Sequence, residues 1–84
     1  MKTIVAIKKF NSKSGRPVCI VTCCEERSEY ELNNCECYGP AYNNYFVQGN
    51  DYSKFNNDSI GKKLVGFFGF SNGTNFVQNA DIIK

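Results

Sequence analysis

The five cysteines are the residues of this 84-residue chain that are best equipped for chemistry, and they stand at positions 19, 23, 24, 35 and 37. Because the chain has no His, a tetrahedral zinc site would need four thiolates. Cys19, Cys23, Cys35 and Cys37 could supply them, since residues an even number apart share one face of a strand. The C-x-x-C spacing typical of zinc sites is absent, however. We therefore predict no metal and interpret the cysteines as reduced, small apolar residues.

Other catalytic chemistry has little support in the sequence. The commonest general base, His, is missing, and the chain contains no GxSxG, GxxxxGK[ST] or GxGxxG motif. We predict a protein that is not an enzyme and binds no cofactor. The odd number of cysteines and the lack of a signal-peptide pattern in residues 1–10 predict a cytoplasmic location. No apolar stretch is long enough for a membrane span.

Charge is strongly segregated along the chain, although the net charge is only +2. Residues 1–16 contain five cations and no acid, whereas residues 17–36 contain five Glu and a single Arg. The cations of the first segment are Lys2, Lys8, Lys9, Lys13 and Arg16. This distribution predicts two different faces, and two exposed hairpin ends are the alternative interpretation.

The residues that carry these charges lie on segments with strand character. Residues 3–10 and 18–24 are rich in β-branched side chains and are separated by a polar turn. The predicted strands of this half of the chain are, in order, 3–10, 18–24, 29–37 and 45–48. Residues 50–61 are polar and predict a loop or a single helical turn anchored by Phe55.

The C-terminal segment predicts a β-hairpin, because Asn72-Gly73 is a strong turn dipeptide between residues 62–70 and 74–83. A two-residue turn fixes the register, with the pairs Phe68 with Val77 and Val65 with Ala80. Gly66 and Gly69 permit a bulge or a bend, as a small barrel requires. We interpret the GFFGF segment at 66–70 as bent strand in the core, since it does not fit the aromatic motif of other RNA-binding domains.

The predicted fold class is all-β. A chain of this length forms one domain, residues 1–84, with a single core. No segment shows a sustained helical period. Five or six strands that close into an OB-like barrel, with room for one short helical turn, satisfy this pattern, since closure removes exposed edges.

Residues 7–15, IKKFNSKSG, resemble the first strand and turn of bacterial cold-shock domains, which run V-K-W-F-N-S-x-K-G. The matching positions are Lys8, Phe10, Asn11, Ser12 and Gly15. Residues 45–48, YFVQ, are similar to the VFVH strand of the family, and residues 75–84 are similar to its closing strand. The resemblance covers about half of the chain and implies a five-stranded OB barrel that binds single-stranded RNA or DNA.

The chain departs from the family at the aromatic residues that stack on bases. Lys9 stands where the family has Trp, Arg16 and Val18 replace two Phe, and Gln48-Gly49 replaces His-Phe. An additional acidic and Cys-rich segment also separates the second and third strands. The family positions that are retained are Lys8, Phe10, Phe46 and Phe55.

Two functions remain open. The first is binding of single-stranded DNA or RNA, in which cations follow the phosphates and exposed rings stack on bases. Its predicted site residues are Lys8, Lys9, Phe10, Lys13, Arg16, Tyr45, Phe46 and Phe55. The alternative is a protein-binding module or inhibitor, of the kind encoded by phages and mobile elements, that uses the acidic residues 25–36. Apolar residues on both faces of the last hairpin are compatible with a monomer or a homodimer.

Overall fold

Five strands form a closed barrel in the computed structural model, which describes residues 2–47 and 49–83. The strands are β1 (Thr3–Asn11), β2 (Pro17–Glu25), β3 (Ala41–Val47), β4 (Lys63–Ser71) and β5 (Thr74–Ile83). One α-helix, α1 (Glu29–Asn34), lies between β2 and β3, and two 3₁₀ helices, Gly49–Lys54 and Asn57–Ser59, lie between β3 and β4. The predicted all-β, OB-like barrel is confirmed, with five strands.

The strands follow one another around the barrel in the order β1-β2-β3-β5-β4. Neighbouring pairs are antiparallel except β3 and β5, which are parallel. The pairing that closes the barrel is short, because Thr3 opposite Lys63 is the only residue pair that joins β1 to β4 in the described chain. The backbone N–H of Leu64 donates to the Lys2 carbonyl at 2.8 Å beside this pair.

The core receives side chains from all five strands and from the link between the two 3₁₀ helices. Cys19, Val21 and Cys23 alternate into it from β2 and are fully buried. Phe55 is also fully buried, so its predicted role as an anchor is confirmed, but two 3₁₀ helices flank it where a loop or a single helical turn is predicted. The remaining buried apolar residues are Ile4, Tyr45, Val47, Leu64, Val77 and Ala80. No described helix is both long enough and apolar enough to cross a bilayer.

The predicted third strand at 29–37 is wrong, because residues 29–34 form α1 instead. Ser28 caps the helix, and its hydroxyl accepts a hydrogen bond from the backbone N–H of Glu31 at 3.2 Å. Arg27 also pairs with the Glu31 carboxylate at 3.2 Å. These local contacts favour a helical turn over the loose alternation seen in the sequence. The strand predicted at 45–48 is the end of β3, which begins earlier, at Ala41. Gln48, the last residue of that prediction, lies outside the described residues.

The C-terminal hairpin forms around Asn72-Gly73 as predicted, and Phe68 pairs with Val77. The second predicted pair is wrong, since Val65 lies opposite Asp81 and not Ala80. A bulge in β5 shifts the register, because two residues of β5 oppose Gly66 and one of them, Asn79, has a φ of 50°. The extra residue lets Val77 and Ala80 both point into the core.

The GFFGF segment does not lie wholly in the core, which corrects our interpretation of it. Phe67 and Phe70 are 69% and 70% exposed, and Phe68 is 39% exposed. These residues belong to the part of β4 that continues beyond its contact with β1. The core on this strand therefore ends near Leu64, and the phenylalanines that follow it are available at the surface.

Candidate nucleic-acid interface

A row of side chains on the outside of the barrel crosses four strands. Lys8 of β1 lies opposite Ile20 of β2, and Ile20 lies opposite Phe46 of β3. Phe46 in turn lies beside Phe76 of β5, through the parallel pairing of these strands. Neighbouring strands are about 4.8 Å apart, so the row is about 14 Å long.

The row faces solvent because the residues next to it in sequence point inward. Cys19 and Val21 flank Ile20 and are fully buried, and Tyr45 and Val47 flank Phe46 and are also buried. Phe46 itself is 39% exposed. The row therefore presents apolar and aromatic side chains on an outer surface of the sheet.

Phe10 extends this surface along β1. It lies two residues beyond Lys8 on the same face and is 39% exposed. The Lys8 ammonium is 5.4 Å from the centre of the Phe10 ring, within the range of a cation–π contact. We call Lys8, Phe10, Ile20, Phe46 and Phe76 the outer patch.

The turn between β1 and β2 places two more cations beyond the Phe10 end of the outer patch. The Ser12 carbonyl accepts a hydrogen bond from the Gly15 N–H at 2.8 Å, and the Ser12 N–H donates to the Arg16 carbonyl at 2.8 Å. Gly15 has a φ of 82°, which glycine adopts without strain. This closed turn leaves Lys13 and Arg16 exposed at the end of the hairpin.

The cations near the outer patch are not neutralised by acids of the same chain. The ion pairs found among the described residues are Lys2 with Glu25, Arg27 with Glu31, and Lys54 with Asp51. Lys8, Lys13 and Arg16 take part in none of them. Their charges are therefore free to interact with an external anion.

Of the predicted site residues, the structure brings together Lys8, Phe10 and Phe46, with Lys13 and Arg16 at the adjoining turn. Lys9 lies elsewhere, because alternation turns it to the other side of β1. Its ammonium is 4.5 Å from the centre of the Tyr52 ring, near the end of the barrel occupied by Phe55.

Two predicted stacking residues are corrected by their burial. Phe55 is fully buried, and Tyr45 is 7% exposed, so neither ring offers a face to a base. The Tyr45 hydroxyl donates to the Glu25 carboxylate at 2.6 Å, and its ring meets Phe68 edge-to-face at 5.2 Å between centres. Burial and this hydrogen bond raise the pKa of Tyr45. Both side chains belong to the hydrophobic core.

Sequence reasoning missed Ile20 and Phe76 as members of the surface. The sequence predicts apolar residues on both faces of the C-terminal hairpin, but nothing in it indicates that β5 lies beside β3. That parallel pairing joins residues thirty positions apart, Phe46 and Phe76, and no local pattern encodes it.

The cysteines do not assemble into a metal site in the described chain, where no three potential metal-ligand residues cluster. Cys19 and Cys23 lie in the core, and burial raises the pKa of both thiols, that of Cys23 to about 12. A raised pKa disfavours the thiolate that metal binding needs. All five cysteines are free, and Cys35 is exposed near the end of α1.

Comparison of the chain with protein-family models, with curated proteins and with solved structures gives no match.

Proposed function

We propose that the protein binds single-stranded nucleic acid on the outer patch. The observation that carries the proposal is the continuous row Lys8–Ile20–Phe46–Phe76, which places a free cation, the exposed ring of Phe46 and the half-buried ring of Phe76 on one outer face. Phe10 adds a third ring on the same face. Aromatic rings stack on any base, and lysines beside them contact phosphates.

The expected binding energy is consistent with a functional interface. Each stacked base contributes about 1–3 kcal/mol, so two or three rings can hold a short single strand whatever its sequence. Lys8, Lys13 and Arg16 would follow the phosphates along the Phe10 end of the patch. Duplex DNA would bind more weakly, because its bases are already stacked on each other.

The fold and the sequence resemblance support the same surface. OB folds bind oligonucleotides on the outer face of the second and third strands and on the loop between the first and second. Ile20 and Phe46 occupy that face, and Lys13 and Arg16 occupy that loop. We therefore propose a cold-shock-like binding mode in which Phe76 adds an aromatic contact from β5. The five free cysteines fit a reducing location such as the cytoplasm.

The test is a titration of fluorescein-labelled single-stranded oligonucleotides, as DNA and as RNA, at several salt concentrations. Phe46→Ala should weaken binding by about five-fold to a hundred-fold, the loss expected for one stacked base. Tyr30→Ala is the matched control, since Tyr30 is 72% exposed on α1 and distant in sequence from the patch. Equal affinities of the two variants, or no binding at low salt, would exclude this site.

A second candidate function, binding to a basic protein surface, is favoured by the exposure of α1. None of its residues is buried, and Tyr30 and Leu32 are 72% and 64% exposed among acidic side chains. Exposed aromatic and apolar residues are common at protein interfaces. Here the acidic segment would be the binding surface and the outer patch would not.

Charge reversal separates the two candidates. Lys8, Lys13 and Arg16 changed together to Glu should abolish nucleic-acid binding and leave a protein partner bound. Glu26, Glu29 and Glu36 changed together to Lys should have the opposite effect. Glu25 is left out of this set because it accepts hydrogen bonds from Tyr45 and Asn43 and pairs with Lys2.

A further inference from the structure

The backbone groups and side chains along the free edge of β4 are arranged so that two copies of this edge can pair with each other. One edge of β4 pairs with β5 along its whole length, whereas in the described chain the other edge meets β1 only at Lys63. We propose that the protein forms a homodimer in which β4 pairs antiparallel with β4 of a second copy, across a two-fold axis at Phe68.

The backbone along this edge is correctly oriented for pairing. Leu64 donates its N–H to the carbonyl of Lys2, the residue before β1, so the N–H and C=O of Leu64 point to the edge that is open farther along β4. N–H and C=O groups of alternate residues in an antiparallel strand point the same way. Gly66, Phe68 and Phe70 therefore direct their backbone groups to the free edge, while Phe67 and Gly69 direct theirs to β5.

A two-fold axis at Phe68 places hydrogen-bonding residues opposite one another. Phe68 faces Phe68 of the second copy, and Gly66 faces Phe70 of the second copy. All of these residues have N–H and C=O groups on the free edge, so each opposing pair can exchange two hydrogen bonds. The symmetric register thus satisfies the backbone groups that the monomer leaves open.

The side chains on this edge also fit the same axis. Gly-Phe-Phe-Gly-Phe, residues 66–70, places a small residue opposite a large one on either side of Phe68: Phe67 faces Gly69, and Phe70 faces Gly66. Phe67 and Phe70 are among the most exposed apolar residues of the chain. Pairing would cover them with the partner strand, and an isologous contact of this kind closes on itself.

The edge lacks the features with which proteins prevent such pairing. Exposed edge strands are usually protected by charged residues, proline or a bulge in the edge strand itself. Between Leu64 and Ser71, β4 contains no charged residue and no proline, and the bulge of this hairpin lies in β5. An unprotected edge with a self-complementary sequence favours a second copy over an unrelated peptide.

The first measurement is the molar mass in solution, by sedimentation velocity from micromolar to millimolar concentration. The chain has a mass of 9.5 kDa, and we expect twice that value at the upper end. Phe67→Lys should raise the dimer dissociation constant at least ten-fold, since it introduces like charges on both sides of the axis. Tyr30→Lys, a control of equal charge at an equally exposed aromatic residue, should leave it unchanged.

The second measurement locates the interface in the unmodified chain. Amide hydrogen exchange followed by NMR should show protection of the Gly66, Phe68 and Phe70 amides that increases with protein concentration. The Phe67 and Gly69 amides, bonded to β5, should be protected at all concentrations. A monomer at millimolar concentration, a Phe67→Lys dimer of unchanged affinity, or a dimer with unprotected Phe68 and Phe70 amides would each overturn the proposal.

Discussion

The ring of Phe76 lies against the Cα of Gly69 on the neighbouring strand. A β carbon added to Gly69 would be 2.5 Å from Cζ of Phe76 and 2.9 and 3.1 Å from the two Cε atoms of the same ring. The ring therefore covers the glycine, and its position on the outer patch depends on the absence of a side chain there.

We expect Gly69→Ala to move the Phe76 ring at small cost to the fold, about 1 kcal/mol or less, because the ring is the free end of a surface side chain. Oligonucleotide affinity should fall more than stability does. Urea denaturation together with the oligonucleotide titration would measure both quantities. An unchanged affinity would show that the Phe76 ring contacts no base.

Gly66→Ala provides the contrasting case and should destabilise the fold by about 2–3 kcal/mol. The new β carbon would lie 2.9 Å from the Gln78 carbonyl oxygen and 3.2 Å from Cα of Ala80, and Gly66 has a φ of 151°. Backbone atoms in the bulge cannot move aside as a surface ring can. A stability equal to that of Gly69→Ala in urea denaturation would contradict this argument.

Glu25 should make stability depend on pH in the acid range. Burial raises the pKa of this carboxyl, but hydrogen bonds from Lys2, Tyr45 and Asn43, together with the Lys2 charge, outweigh burial, so the pKa is lowered. A lowered folded-state pKa gives stability that is present above the unfolded value of 4.5 and is lost as pH falls through the folded value.

Glu25→Gln should therefore unfold at a lower urea concentration than the unmodified chain at pH 7, and the two midpoints should converge as the pH falls below about 4.5. Glu26→Gln is the control, because Glu26 is exposed. Its urea midpoint should equal that of the unmodified chain at each pH. A difference between Glu25→Gln and the unmodified chain that is constant from pH 7 to pH 3 would refute the role of this carboxylate.

Asp51 stabilises the bulge of β5 from the first 3₁₀ helix. Its buried carboxylate accepts a hydrogen bond from the Ala80 N–H at 3.1 Å, and its partner Lys54 donates to the Ala80 carbonyl at 3.0 Å. Asp51→Ala should lower the free energy of unfolding by about 2–4 kcal/mol, because it leaves a buried N–H without an acceptor. Asp58→Ala is the control, since Asp58 is exposed in the second 3₁₀ helix. Equal losses of stability in the two variants, measured by thermal denaturation, would argue against the hydrogen bond between Asp51 and Ala80.

The five cysteines should differ widely in their rates of alkylation. Cys35 is exposed, whereas Cys19 and Cys23 are fully buried and burial raises the pKa of their thiols. In native protein treated with iodoacetamide, we expect Cys35 to be modified first and the two core cysteines only when the barrel opens. Peptide mass spectrometry of timed samples gives the order. Early modification of Cys23 would show that the barrel opens readily.

The salt dependence of oligonucleotide affinity reports the number of phosphate contacts, so a variant that lacks one cation tests one contact. If Lys13 binds a phosphate, Lys13→Ala should make the slope of log affinity against log salt shallower by about 0.7, the value for one contact on a single strand. Lys62→Ala, on the approach to β4 and away from the patch, should leave the slope unchanged. The slopes of the two variants would coincide if the turn between β1 and β2 played no part in binding.

Several elements were predictable from local sequence because local interactions decide them. Asn72-Gly73 fixes its turn by backbone preference, with φ values of 52° and 76°, and the pairing of Phe68 with Val77 follows from that turn. Phe55 is the only Phe in a mostly polar segment, and burial of such a ring is the expected outcome. The missed helix α1 also had a local marker, the S-x-x-E capping pattern from Ser28 to Glu31.

The candidate site was only partly predictable from the sequence. Lys8 and Phe10 share a face of β1 by simple alternation, but the burial of Tyr45 and the surface position of Phe46 depend on which face of β3 meets the core. The β5 bulge at Asn79 also reverses the alternation beyond it, so the face of Ala80 could not be assigned from spacing.

Alternation and turn residues act between near neighbours, so the all-β fold class and most of the strands can be predicted from the sequence. Which residues meet on the outside of the barrel depends instead on how distant strands are arranged in three dimensions. The row from Lys8 to Phe76 requires β3 and β5 to lie side by side in parallel, and that arrangement arises from closing the barrel around a shared core.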